Sequence, residues 1–185
     1  MNRQHIIHLT LIFLMLAVVF PLPAFAQDTP ETHIHEIVNH LVEDVFNEGD
    51  MDAIDELFTD DFVSHTLSSN VHDSGREDFK KTVSFFRDAI PDLQASTDFV
   101  IVEDNTASFL LMLDGTFSHD IAEPGSGIVI RATHDPVHFT FMFIMNFDEN
   151  GKITDDWILS DSVTYFTQFG MIDPAEFFRS VSGLR

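Results

Sequence analysis

Apolar residues repeat with one period before Pro91 and with another after it. From His33 to Phe46 they fall at Ile34, Ile37, Val38, Leu41, Val42, Val45 and Phe46, the stripe of an amphipathic helix. "NEG" at 47–49 ends that helix. "DMDAIDELF" predicts a short second helix with Met51, Ile54, Leu57 and Phe58 inward and Asp50 as N-cap. "DFVSHT" predicts a short extended piece. "SGRE" at 74–77 predicts a capping box, Ser74 at the N-cap and Glu77 at N3, opening a third helix that carries Phe79, Val83, Phe86 and Ile90. Pro91 stops this helix, because the residue before a proline avoids helical geometry.

Beyond Pro91 the period falls to two. "LQASTDFVIVE" and "TASFLLMLDGTF" predict strands around the turn "EDN". "GIVIRA" and "HFTFMFIMNF" are further strand material, and Asn150-Gly151 predicts a tight hairpin leading into "KITDDWILSD". Residues 163–181 predict one or two short helices split near Asp173-Pro174. Helices first and an antiparallel meander after them make an α+β fold. "SFLLML" and "HFTFMFIMNF" are apolar on both faces. One face covers the helices, and a homodimer through the sheet is the economical cover for the other.

The first 26 residues predict a leader. "MNRQHIIH" is a weakly basic head, "LTLIFLMLAVVF" an apolar run too short to span a bilayer, and "PLPAFA" a breaker with small residues at Ala24 and Ala26. Cleavage after Ala26 leaves one domain, 27–185, in a secreted or periplasmic compartment. The whole chain holds 31 acidic and 9 basic residues, a formal charge of −22, and loss of Arg3 lowers it by one more. Such a surface repels nucleic acid phosphates and anionic lipid heads, so neither nucleic acid nor membrane is an expected partner after cleavage. With no cysteine there is neither a disulfide nor a thiol nucleophile.

Several motifs, taken in order, resemble the SnoaL-like (polyketide cyclase-like) family of the NTF2-like superfamily. "NEGDMDAIDELFTDDFVSHT" is similar to its opening helix and extended "D-F-V-x-H". "AIPDLQ" is similar to its "PDL", "DENGKITDDWILSD" to its "DGKI…W…D" hairpin, and "FTQFG" to its closing "QLG". The likeness covers about residues 33–171. It implies a cone of N-terminal helices packed against a curved antiparallel sheet, with an apolar pocket inside. "ATHDPVH" at 132–138 departs from the pattern as an extra loop near the pocket mouth.

The resemblance also implies that the last acid of the hairpin motif, Asp161, points into the pocket. Strand alternation predicts Ile153, Asp155, Trp157, Leu159 and Asp161 on one face. In apolar surroundings such an acid would exchange a proton near neutral pH. The competing reading makes Asp161 the cap of a helix beginning at Ser162. His65 matches the family histidine, either in the pocket or on a loop. Asp161 and His65 are thus the candidate catalytic pair. Trp157, His119, His138, Phe141 and Phe143 are the candidate substrate contacts, against the plainer reading of rim histidines as surface and phenylalanines as core. Arg131 reads as a surface arginine or the partner of a buried acid.

No metal or cofactor is expected. His33, Glu36 and His40 share one helix side, but Asn39 stands where H-E-x-x-H needs its second histidine. "GSGIVI" at 125–130 leads into a strand rather than a helix and does not fit a phosphate loop. Three functional readings follow: an exported, cofactor-free acid/base enzyme of cyclase, isomerase or dehydratase type on a small hydrophobic molecule; a lipophilic-ligand module without turnover; and a structural dimer.

Overall fold

The periodicity change at Pro91 is the boundary between two layers in the computed structural model, which describes residues 30–66, 73–122 and 129–182. The predicted leader (1–26) and the glycine motif at 125–127 lie outside the described residues. Helix α1 (Pro30–His40) continues as a π-helix over Leu41–Glu48. All seven residues of the predicted stripe are buried along it. Gly49 ends it with φ +77° in the left-handed region. Its place also needs an absent side chain, because a Cβ there would lie 2.4 Å from Arg87 Nε. The Arg87 guanidinium donates to the carbonyls of Phe46 and Asn47, both at 2.6 Å, and so closes the helix end.

Helix α2 (Met51–Leu57) starts at Asp50, whose carboxylate accepts from the amides of Asp52 and Ala53 as predicted. Helix α3 (Arg76–Ala89) begins one residue later than the capping-box expectation, with Gly75 at the N-cap and no side-chain cap. Ser74 is drawn away by a backbone bridge to Ser64, at 2.7 and 3.1 Å. Arg76 and Lys80 both reach Asp55, at 3.1 and 2.7 Å, and tie α3 to α2. Lys80, followed by the other cations, holds the Asp55 carboxyl below its usual range.

The strands are β1 (Phe58–Thr66), β2 (Gln94–Glu103), β3 (Thr106–Thr116), the short pair β4 (Ile121–Ala122) and β5 (Val129–Ile130), β6 (Pro136–Phe147) and β7 (Ile153–Ser160). The main sheet runs β1-β7-β6-β3-β2. The fold is the α+β architecture predicted, with one difference. "DFVSHT" is part of a full strand that joins the edge parallel to β7, so the sheet is mixed rather than wholly antiparallel. Helices α4 (Ser162–Gln168) and α5 (Pro174–Ser182) end the described chain. The segment at 132–135 folds back on the end of β3: His134 N–H donates to Phe117 O at 2.9 Å, and Phe117 N–H to Asp135 O at 3.1 Å.

Alternation in β6 sends Val137, Phe139, Phe143, Met145 and Phe147 into the core with Phe141 half-buried among them. Phe109 on β3 stacks on Phe143, centroids 5.4 Å apart and planes 8° apart. Helices α1–α3 close this inner face. Among the described residues no helix is long and apolar enough to cross a membrane.

Candidate active site

A one-residue bulge in β7 decides which acid faces inward. Phe147 pairs with Ile153, but its neighbour Asn146 pairs with Asp155, so Thr154 has no opposite number. Polar side chains hold the bulge. Thr154 Oγ1 donates to Asn146 O at 3.2 Å, and Asn146 Nδ2 donates to Asp155 Oδ1 at 2.8 Å. The extra residue reverses the alternation beyond it. Asp156, Ile158 and Ser160 turn inward beside Met145, Phe143 and Phe141, while Trp157 and Leu159 turn outward.

Asp156 therefore sits where the alternation reading put an outward residue. It has no exposed surface. Its strand neighbour is Ser64 of β1, whose side chain points the same way. Burial pushes the Asp156 carboxyl up from 3.8 to about 7, against the pull of the nearby Ser64 hydroxyl and the His65 ring, with Asp155 adding a smaller push upward. Although Ser64 is close enough to favour the charged form, no donor among the described residues meets hydrogen-bond geometry to either Asp156 oxygen.

Above this acid, between sheet and helices, lies a cavity of about 760 Å³. Its walls are apolar, from Phe79, Val83 and Phe86 of α3 and Leu111, Phe141 and Phe143 of the sheet. Its polar groups are mostly hydroxyls, those of Ser64, Ser160 and Tyr165 among them, and Asp78 is the single lining residue with a charged side chain. Asp78 is already held by Lys81 at 2.6 Å. Burial pushes the Tyr165 phenol up to about 12, so it stays a neutral donor. Asp156 is not itself among the lining residues. Ser64, beside it, is the group through which it meets the cavity.

The predicted site residues are scattered relative to this cavity. Phe141 and Phe143 line it. Asp161 does not point into it; it is the N-cap of α4, accepting from Val163 N–H at 3.0 Å, Thr164 N–H at 3.2 Å and Thr164 Oγ1 at 2.7 Å. The Thr164 hydroxyl and amide, then the Val163 amide, hold its carboxyl below the usual range. Trp157 faces outward and is 41% exposed. His65, also on the outer side, lies between Trp157 and Asp73, with Nδ1 3.1 Å from Asp73 Oδ1. His119 is exposed, its Nδ1 2.8 Å from Asp88 O. His138 is exposed and paired with Asp114 at 2.6 Å. It shares only a small cavity of about 190 Å³ with Asp161 at the open end of β6 and β7. Arg131 pairs with the exposed Asp120. No cluster of three or more metal-ligating side chains occurs among the described residues.

The sequence matches the model of the SnoaL-like polyketide cyclase family over residues 36–169. Among the curated proteins none matches it. Solved structures share the fold. IdmH of Streptomyces antibioticus, a candidate polyketide cyclase, is 24% identical, with a TM-score of 0.60 over 74% of this chain and 98% of IdmH. TsrD of Streptomyces laurentii is 18% identical, with a TM-score of 0.63 over 78% of this chain and 100% of TsrD. AclR of Streptomyces galilaeus, a candidate hydroxylase, is 16% identical, with a TM-score of 0.64 over 77% of this chain and 88% of AclR. A family model that spans most of the sequence, on a helix-filled sheet of this topology, makes the chain a member of the SnoaL-like polyketide cyclase family of the NTF2-like fold.

Proposed function

We propose that this protein is an exported acid/base catalyst of the cyclase or isomerase type, acting on a small apolar molecule that carries a carbonyl group. The observation that carries the reading is Asp156, a sealed acid with unpartnered oxygens poised near neutral pH against Ser64 of the cavity wall. Family membership supports the reaction class, and the apolar walls support the substrate class. Neither the walls nor Asp156 offers a cation to bind a carboxylate or phosphate.

In this reading the Asp156 carboxylate, relayed through the Ser64 hydroxyl, removes a proton from the carbon next to the carbonyl. The C–H electron pair becomes the enolate double bond and the carbonyl pair moves to oxygen. Where the enolate is conjugated with a further C=C bond, the far carbon of the dienolate takes the proton as the carbonyl re-forms and the double bond shifts; otherwise the enolate carbon attacks a second carbonyl in the same molecule, whose oxygen receives the proton instead. Charge and protons balance without any further reactant.

The test is deuterium uptake. With 2-tetralone, a neutral bicyclic ketone, in deuterium oxide, proton NMR should show exchange next to the carbonyl that accelerates as pH rises through about 7. Asp156→Asn should abolish the acceleration and leave ketone binding intact. Equal exchange by wild type and variant would remove Asp156 from the chemistry. A second reading, a lipophilic-ligand carrier, rests on the sealing of Asp156 from solvent; binding without exchange by the wild type would establish it instead. Export is checked by the mass of the secreted product, expected to begin at Gln27.

A further inference from the structure

The sheet side of the large cavity has two polar ends. One is Ser64, beside the sealed Asp156. The other is Ser160, four residues further along β7 and so about 13 Å away at the ordinary rise of a strand. Between them the sheet offers the cavity only leucine, isoleucine and phenylalanine side chains. Tyr165 stands at the Ser160 end. Its ring lies against Phe139, 5.3 Å between centroids, and Phe139 is two residues past Phe141, the partner of Ser160. The phenol thus belongs to the end of the cavity away from Asp156.

Helix α4 holds this phenol in place. Asp161 caps the helix, and Tyr165 N–H donates to the Asp161 carbonyl at 2.9 Å. Gln168 fastens the helix to β6, its side chain accepting from His138 N–H at 2.5 Å and donating to His138 O at 2.7 Å. Phe86 and Phe169 pack edge-on against the Tyr165 ring. The hydroxyl at its tip is nonetheless unused. It makes no hydrogen bond to a described residue, and it is not sealed in protein as the Asp156 oxygens are. Tyr165 lines both the large cavity and the one of about 190 Å³, which share Phe141 and Ser160 as well. A donor fixed in advance, with no partner of its own, suits an acceptor on a bound molecule.

We propose that Tyr165 is a second recognition point, selecting substrates that carry a neutral hydroxyl on the order of 10 Å from the ketone. The inference rests on the function proposed above, which sets the ketone at Ser64 and Asp156. Complementarity selects a hydroxyl for the far end. The phenol donates, and the Ser160 and Thr164 hydroxyls near it can accept, so a group that does both satisfies that end fully. An anionic end is refused, because Asp161 is held in its charged form there and His138 is already paired with Asp114. An ammonium would leave the phenol proton without an acceptor.

The probes are 4-(4-hydroxyphenyl)cyclohexanone, a rigid ketone with a hydroxyl at its far end, and 4-phenylcyclohexanone, which lacks it. Dissociation constants are measured by calorimetry on the purified protein at neutral pH. Wild type should bind the hydroxyl compound about tenfold more tightly, the contribution of one hydrogen bond in a desolvated site. In Tyr165→Phe the ratio of the two constants should fall to about one. The variant should keep its fold, because the hydroxyl it loses has no partner in the protein.

A second measurement needs no variant. Tyr165 is the chain's one tyrosine, so carbon-13 placed at its Cζ gives a single resonance. That resonance should shift with the hydroxyl compound and far less with its twin. Binding is read apart from turnover, so the preference should persist in Asp156→Asn, where deuterium exchange is lost. Exchange that fails in the wild type while the preference stands would overturn the acid/base chemistry and leave Tyr165 as the recognising residue. The proposal itself is overturned by equal affinities in the wild type, by a preference that survives Tyr165→Phe, or by a Cζ resonance that both ketones move alike.

Discussion

The His65 ring lies flat on Trp157, centroids 4.5 Å apart and planes 24° apart, while the residues just before each, Ser64 and Asp156, point through the opposite face of the same two strands. One strand pair therefore presents two chemistries. The outer side is an aromatic stack near solvent. The inner side is a hydroxyl beside a sealed acid. Alternation along paired strands keeps them apart by one residue.

Asp156 makes stability depend on pH in a direction opposite to Asp55, Asp92 and Asp161, whose carboxyls are held below the usual range. Its folded pKa is raised above the unfolded value. Well below the unfolded value of 3.8 both states hold the proton and nothing is lost. Between about 4 and 7 the unfolded chain releases it and the folded chain does not, so stability falls as pH rises; above 7 the loss is constant. Three pKa units correspond to on the order of 4 kcal/mol. Asp156→Asn should melt higher than wild type at pH 8, with the gap closing as pH falls below 4. A constant offset across that range would mean the carboxyl is not titrating in the fold.

Asp161 should behave as a cap. Asp161→Asn keeps an oxygen for the amides of Val163 and Thr164 and should be nearly silent. Asp161→Ala should lower the melting temperature by a few degrees and leave 2-tetralone exchange unchanged once the protein is folded. Loss of exchange without loss of stability would return Asp161 to the chemistry.

The cavity can be filled from Ser160, an inward residue among its lining. Ser160→Phe has room for its ring in about 760 Å³. The expected result is an unchanged or raised melting temperature and about tenfold weaker binding of a neutral dye such as Nile red. Unaltered dye binding would place the ligand elsewhere.

The layers were legible in the sequence because burial is periodic. The stripe from Ile34 to Phe46 survives even the switch from α to π winding, since all seven positions stay buried. The phenylalanines of β6 were equally clear. The final strand was not. Trp157 and Leu159 on one side and Ile158 on the other are all apolar, so composition does not choose the inward face, and a bulge shifts it. The odd spacing from Ile153 to Ile158, both turned inward, was the one trace of that shift. His65 and Trp157 were brought together, but on the side away from the cavity, because β1 is an edge strand whose parallel register fixes their common direction. His119 and His138 lie near strand ends, a position that does not by itself choose a side of the sheet.

The unpaired Thr154 has a bearing on how such a protein could change its chemistry. Flattening the bulge with Thr154 kept, so that Thr154 pairs with Asn146, would slip the remainder of the strand by one residue. Asp155, Trp157 and Leu159 would then turn to the inner face, and Asp156 and Ser160 to the outer. One change of register could thus exchange an entire reactive surface at once, where point substitutions would have to pass through intermediates carrying neither the old acid nor the new. Lineages built on this hairpin can vary their reactivity by the register of one strand while every other layer stays in place.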